Sequence, residues 1–361
     1  MIVTSLLLLA PLVAASPAPA VATSIPLIRR NNAIRNGSRT LWLKAQAETL
    51  LAKYGASSSS SSKRANTATI SLTDQGQDVT YYASVSVGTP AQNFDVVLDT
   101  GSSDLWIASS SCQTGCSGIN TFDSSKSTSF KDQSRQITIS YGSGDVAGTV
   151  GTDTVSFGGF TVQNQGLGVM TQITAQLLSG SLSGIMGLGW ASLASSGATP
   201  WWETLAKGGS WAQPLFGFYL ARNEDSLTAT SPGGSLDLGF VNSSFTNINY
   251  VSLTSQDYWN IPVQSITVGG KVITSGAGGA MDTGTTLIAA PSAFVKEFYS
   301  NVMGAVAATG DLSGYYEYAC SSVAEVSITL GGKTYAISST DFSLQLDSAG
   351  QQCVGGKHDE D

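Results

Sequence analysis

The sequence predicts an all-β protein with a few short helices, built as two related halves. Three observations carry that prediction. Only 12% of the 361 residues are charged, and 40 are glycine. Such a composition suits short strands and tight turns better than long surface helices. Short β-branched and aromatic runs recur, each closed by Gly, Ser or Asn. Finally, one phrase occurs twice. VVLDTGSS begins at Val96, and AMDTGTT begins at Ala280. Each copy places an aspartate between an apolar run and a Thr-Gly turn, one copy in each half of the chain.

The elements follow in order. Residues 5–15, SLLLLAPLVAA, form the only long apolar run, too short to span a bilayer. Ala18-Pro19-Ala20 fits an A-x-A cleavage pattern, so residues 1–20 read as a secretory signal peptide. A secreted, extracellular protein with no membrane partner is therefore expected. Residues 21–64 hold eight basic side chains against the single acid Glu48, while the chain from Ala65 onward holds nine bases and 24 acids. Six serines, Ser57 to Ser62, lead to the dibasic pair Lys63-Arg64, where a kexin-type protease would cut. Residues 21–64 therefore read as a basic pro-segment acting as inhibitor of the acidic body. Acid would protonate the body's carboxylates and loosen that pairing.

The body divides near Asn242 into a first lobe, 65–242, and a second, 243–361. Strands are expected at 79–87 (VTYYASVSV), 136–141 (QITISY) and 263–268 (VQSITV). A helix is expected over 291–302, where Pro291 opens a segment with helical apolar spacing.

Residue types exclude several chemistries. The one histidine, His358, sits in the polar C-terminal tail, so triads that need a held imidazole have no support. No G-x-x-x-x-G-K-[ST] phosphate loop occurs. The acidic body disfavours nucleic acid. The four cysteines of a secreted chain suggest disulfides, with three possible pairings. Cys112–Cys116 with Cys320–Cys353 is preferred because each bridge stays in one half. No further ligand stands near the C-x3-C pair, so no metal is expected. Asn242 and Asn36 open N-glycosylation sequons. No cofactor is implied, and a monomer is expected.

Carboxylate chemistry remains. Two Asp-Thr-Gly loops packed across a pseudo-twofold axis would bring Asp99 and Asp282 together. Glycine allows the tight turn, and hydroxyls can donate to the carboxylates. Adjacent carboxyls resist joint ionisation and share a proton. One can then take a proton from water while the other serves a carbonyl oxygen.

On these residues the chain resembles the pepsin-like aspartic endopeptidases, especially the secreted fungal ones, over about residues 81–354. VVLDTGSSDLW (96–106) and AMDTGTTL (280–287) look like the two catalytic loops. ISYGSG (139–144) looks like the flap hairpin, and GIMGLG (184–189) like the segment packed beneath the first loop. GFYL (217–220) and YWNIPVQSITVG (258–269) are further family phrases. The resemblance implies a bilobal fold, polypeptide substrates, and Asp99 and Asp282 as catalytic pair. It implies Ser102 and Thr285 on their outer oxygens, Tyr141 as flap residue and Trp106 as its hydrogen-bond partner. Gly142 and Ser143 would meet substrate backbone, with Gly101, Gly284 and Thr285 along the cleft. The two cysteine pairs match the family's disulfides. After Cys353 the family pattern continues with a second apolar-apolar-Gly segment, whereas this sequence ends VGGKHDED. A second lobe lacking its last strands is therefore expected, and a peptide-binding homologue without cleavage is the alternative function.

Overall fold

The computed structural model describes residues 66–223, 228–322, 325–346, 351–355 and 357–359. The signal-peptide and pro-segment assignments, with Asn36, lie outside these residues.

The first half is a single folded sheet. Its elements are β1 (Ala68–Gln75), β2 (Thr80–Val87), β3 (Gln92–Asp99), β4 (Leu105–Ala108), β5 (Lys131–Tyr141), β6 (Gly144–Phe157), β7 (Phe160–Ile173), β8 (Leu182–Gly187), helix α1 (Trp201–Lys207), β9 (Phe216–Leu220) and β10 (Thr230–Leu238). Their order across the sheet is β5-β6-β7-β4-β8-β3-β2-β1-β10-β9. β2 shows why the alternating pattern was readable: Tyr81, Ala83, Val85 and Val87 are buried on one face. β8 is buried throughout and runs parallel to β3 on one side and antiparallel to β4 on the other. Its glycines permit this insertion. A Cβ on Gly184 would lie 2.0 Å from the Trp106 carbonyl oxygen.

α1 was not expected from the sequence. Pro200 occupies its N-cap, and Trp201, Trp202 and Leu205 are buried. Its seven residues are too few for a helical period to stand out. These side chains join Leu72, Val85, Val96, Leu98, Phe218 and Leu236 in the main core. A second core, under the β5–β6 hairpin, gathers Trp106, Ile137, Ile139, Met170 and Ile185.

The second half contains β11 (Ser255–Gln256), β12 (Trp259–Val268), β13 (Lys271–Ala280), β14 (Ala289–Pro291), helix α2 (Ser292–Tyr299), β15 (Val306–Ala307), β16 (Tyr316–Ala319), β17 (Val326–Leu330), β18 (Lys333–Ile337), helix α3 (Ser339–Phe342), β19 (Leu344–Gln345), β20 (Gln352–Gly355) and β21 (Lys357–Asp359). They form three smaller sheets rather than one. The predicted helix at 291–302 is shorter, because Asn301 and Val302 turn back with i→i−3 bonds to Phe298 and Tyr299. Around α2, Tyr299 stacks on Tyr316 with ring centroids 4.5 Å apart. The polar tail that holds His358 is not free of the fold: Lys357–Asp359 pairs in parallel with Ala289–Pro291.

Both disulfides have the expected local pairing, Cys112–Cys116 and Cys320–Cys353. Trp259 departs from the two-half division. It stands in the second half of the sequence yet packs in the first half's core, with Trp190, Trp202 and Phe216.

Candidate active site

The first loop leaves β3 at its last residue. Asp99 pairs with Gly187 of β8, and the Leu188 amide donates to the Asp99 carbonyl oxygen at 2.7 Å. A Cβ on Gly187 would sit 2.4 Å from the Ser103 carbonyl carbon, so the strand beneath the loop must be glycine there. Asp99 is left 6% exposed at the end of this buried run. Its Oδ1 accepts the Gly101 amide at 2.8 Å, and its Oδ2 accepts the Ser102 hydroxyl.

The second loop repeats the device. The Gly284 amide donates to Asp282 Oδ1 at 2.7 Å, and the Thr285 hydroxyl donates to Oδ2 at 2.5 Å. Ser102 and Thr285 thus hold matching oxygens, as the resemblance implied. The support differs. β3 has β2 and β8 as neighbours, whereas among the described residues β13 pairs with β12 alone. Asp282 is correspondingly more exposed than Asp99.

The loops grip each other through two threonines that the sequence reading did not single out. The Thr100 amide donates to Thr283 Oγ1 at 3.1 Å, and the Thr283 amide donates to Thr100 Oγ1 at 2.9 Å. Each hydroxyl passes its own proton onward, Thr100 to the Met281 carbonyl at 2.7 Å and Thr283 to the Leu98 carbonyl at 2.6 Å. Every hydroxyl therefore both accepts and donates across the pseudo-twofold axis. The identical Thr in both copies was the available signal. A hydroxyl that bonds its own symmetry mate shows no local pattern.

The glycines are equally reciprocal. A Cβ on Gly101 would fall 2.3 Å from Asp282 Oδ2, and one on Gly284 would fall 2.3 Å from Asp99 Oδ1. Each aspartate thus lies against the other loop's glycine. Burial raises the Asp99 carboxyl to about 7, with the neighbouring Asp282 charge as the next cause. The Ser102 hydroxyl and Gly101 amide oppose that rise without cancelling it.

The hairpin of β5 and β6 turns at Gly142-Ser143, both exposed, with Tyr141 paired to Gly144. The Tyr141 hydroxyl accepts the Trp106 indole N–H at 2.7 Å, and Trp106 is fully buried. Burial raises the Tyr141 phenol above its ordinary range, and Asp99 adds to the shift. Tyr141 and the first loop are therefore electrostatic neighbours. Asn242, the sequon asparagine, is engaged in the fold. Its amide donates to the buried Asp237 carboxylate at 3.0 Å, and its Oδ1 accepts from the Ser244 amide and hydroxyl.

Comparison with known proteins relates the chain to aspartic proteases. The family model described as eukaryotic aspartyl protease matches residues 80–361. The chain is 47% identical over 303 residues to major aspartyl peptidase 1 of Cryptococcus neoformans var. grubii, covering 78% of this chain and 62% of that protein. It is 32% identical over 345 residues to pepsin A of Sus scrofa, covering 92% of this chain and 85% of that protein. It is 35% identical over 325 residues to an aspartic protease of Phaffia rhodozyma, covering 87% and 77%. The chain thus spans less than two thirds of the Cryptococcus peptidase's length.

Proposed function

The chain belongs to the eukaryotic aspartyl proteases, and from that premise we propose that it is an acid endopeptidase whose Asp99 and Asp282 hydrolyse peptide bonds as one unit. The observation that carries the reading is the reciprocal loop pair, in which the Thr100–Thr283 grip sets two hydrogen-bonded carboxyls against each other.

In the proposed reaction the pair holds one proton. The ionised carboxyl takes a proton from a water as its oxygen attacks the peptide carbonyl carbon. The protonated carboxyl gives its proton to the carbonyl oxygen. The resulting gem-diol collapses: one of its hydroxyls returns a proton to the carboxyl now ionised, the C–N bond breaks, and the amine leaves with the proton of the other carboxyl, so that the pair again holds one proton. Residues 101, 102, 284 and 285 contribute by fixing the carboxyl oxygens. Tyr141, Gly142 and Ser143 would close over an extended polypeptide. No enzyme nucleophile and no cofactor enters.

The reading includes secretion and a zymogen form. The 1–20 segment would be the signal peptide, and 21–64 the inhibitory pro-segment removed after Lys63-Arg64. The opposed charges of 21–64 and the body support it. The protein would work as a monomer, on polypeptides.

The test is cleavage of an unfolded polypeptide such as casein between about pH 2 and 6, with and without pepstatin. Cleavage in acid, abolished by pepstatin and by Asp99→Asn, is expected. Absence of cleavage across that range, or cleavage retained by Asp99→Asn, would sink the proposal.

A further inference from the structure

Three hydrogen bonds join the two loops by a route separate from the threonine grip. The Leu188 amide, just after β8, donates to the Asp99 carbonyl oxygen at 2.7 Å. The Leu188 carbonyl oxygen accepts the Trp259 indole N–H at 2.9 Å. The Trp259 carbonyl oxygen accepts the Met281 amide at 3.2 Å, one residue before Asp282. The adjoining ladder begins at the same place, with Asn260 paired to Ala280.

Trp259 is 4% exposed and held by rings from the first half, with Trp190 at 5.1 Å and Trp202 and Phe216 at 5.4 Å. Its position is thus set by the first lobe's core, while its backbone holds the second loop. β8 supports Asp99 directly, but among the described residues β13 has no second strand beside it. The second loop borrows its support across the lobe boundary.

We propose that Trp259 is a positioning residue that sets the spacing of Asp99 and Asp282. The proposal rests on the reading of those aspartates as the catalytic pair. Its indole N–H registers the first loop's underlying segment, and its carbonyl registers the second loop.

Trp202 supplies an internal control. Its indole N–H donates to the Gly189 carbonyl oxygen at 2.8 Å, in the same aromatic cluster, but it makes no bond to the second loop. Trp259→Phe and Trp202→Phe each remove one buried indole N–H from a carbonyl. They should lower Tm by similar amounts. Trp259→Phe, which breaks the link to both loops, should reduce kcat per pepstatin-titrated site by roughly 10–100-fold with KM little changed, and Trp202→Phe, whose Gly189 partner reaches only Ser102 of the first loop, should reduce it far less. The alkaline limb of Trp259→Phe should also move to lower pH as the carboxyls separate and their coupling weakens. Where Trp259→Phe does not fold, 3-benzothienylalanine at position 259 makes the same test by replacing the N–H with sulfur in a ring of like shape.

A wild-type kcat and pH profile in the position-259 variant would overturn the proposal, as would an equal shift in Trp202→Phe. If the wild-type chain shows no turnover at all, the catalytic reading fails by itself. The inference is then read from the Asp99 carboxyl titration by carbon-13 NMR. A downward move on losing the N–H of Trp259 supports it, and an unchanged titration overturns it.

Discussion

At the residue scale, the decisive groups are two threonine hydroxyls. Removing the Thr100 hydroxyl leaves the Met281 carbonyl without its donor and the Thr283 amide without its acceptor. Both bonds are part-buried, so each loss should cost up to the roughly 1–3 kcal/mol of an unsatisfied buried group. Thr100→Val should therefore destabilise markedly despite its similar shape, and Thr100→Ser should retain most of the stability. Urea unfolding of the three proteins measures this, and equal midpoints for Val and wild type would remove the grip from the explanation. The aspartates themselves were legible, since an acid between a buried run and Thr-Gly stands out twice in one chain. The threonines were not, because their function lies in a relation between loops 183 positions apart.

Asp99 also fixes a pH dependence. Its carboxyl is raised from 3.8 to about 7 in the folded protein, first by burial and then by Asp282. The native state therefore binds a proton more tightly than the unfolded chain does. The contribution to stability is complete below about pH 3.8 and is lost as pH rises through about 7. Asp99→Asn carries no such charge, so its stability should fall less than the wild type's over that interval. Thermal melts at a series of pH values test it. Parallel curves for the two proteins would mean Asp99 titrates as an ordinary exposed carboxyl.

At the scale of elements, alternation and turn chemistry made the strands visible, while burial on both faces and short length concealed others. β2 read well from its pattern, but β5 only over 136–141, because its first residues are exposed and do not alternate. α1 did not, because seven residues with adjacent tryptophans carry no clear period. The strand at Lys357–Asp359 was also missed: its residues are polar, and only the parallel partner at Ala289–Pro291 makes it a strand. The two disulfides close loops of different size, with sequence separations of 4 and 33. Loop entropy gives about 2 kcal/mol for the first and about 4 kcal/mol for the second. Replacing both cysteines of Cys320–Cys353 by serine should lower Tm more than the same change at Cys112–Cys116. The reverse order would show that the core around Tyr299, Tyr318 and Phe298 holds the second half without its bridge.

At the scale of the whole molecule, the halves share a chemical phrase and little else. One is a sheet of ten strands, and the other is three smaller sheets, each half with two cores. The fold is the expected mainly β one, and Trp259, from the second half of the sequence, packs its ring in the first half's core. A division drawn from repeats cannot see a side chain that crosses it. What unites the halves is the pair of loops, joined by threonine hydroxyls and by opposing glycines. That union sets the two carboxyls side by side, as the proposed shared proton requires.

A double-mutant cycle measures the unity of the pair. Initial rates of peptide cleavage in acid are compared for wild type, Asp99→Asn, Asp282→Asn and the double variant. Groups that act as a unit are strongly non-additive, since losing either already removes the shared function. The double variant should be no slower than the slower single variant. A double variant whose loss equals the product of the two single losses would mean that Asp99 and Asp282 act independently, and the shared-proton reading would have to be abandoned.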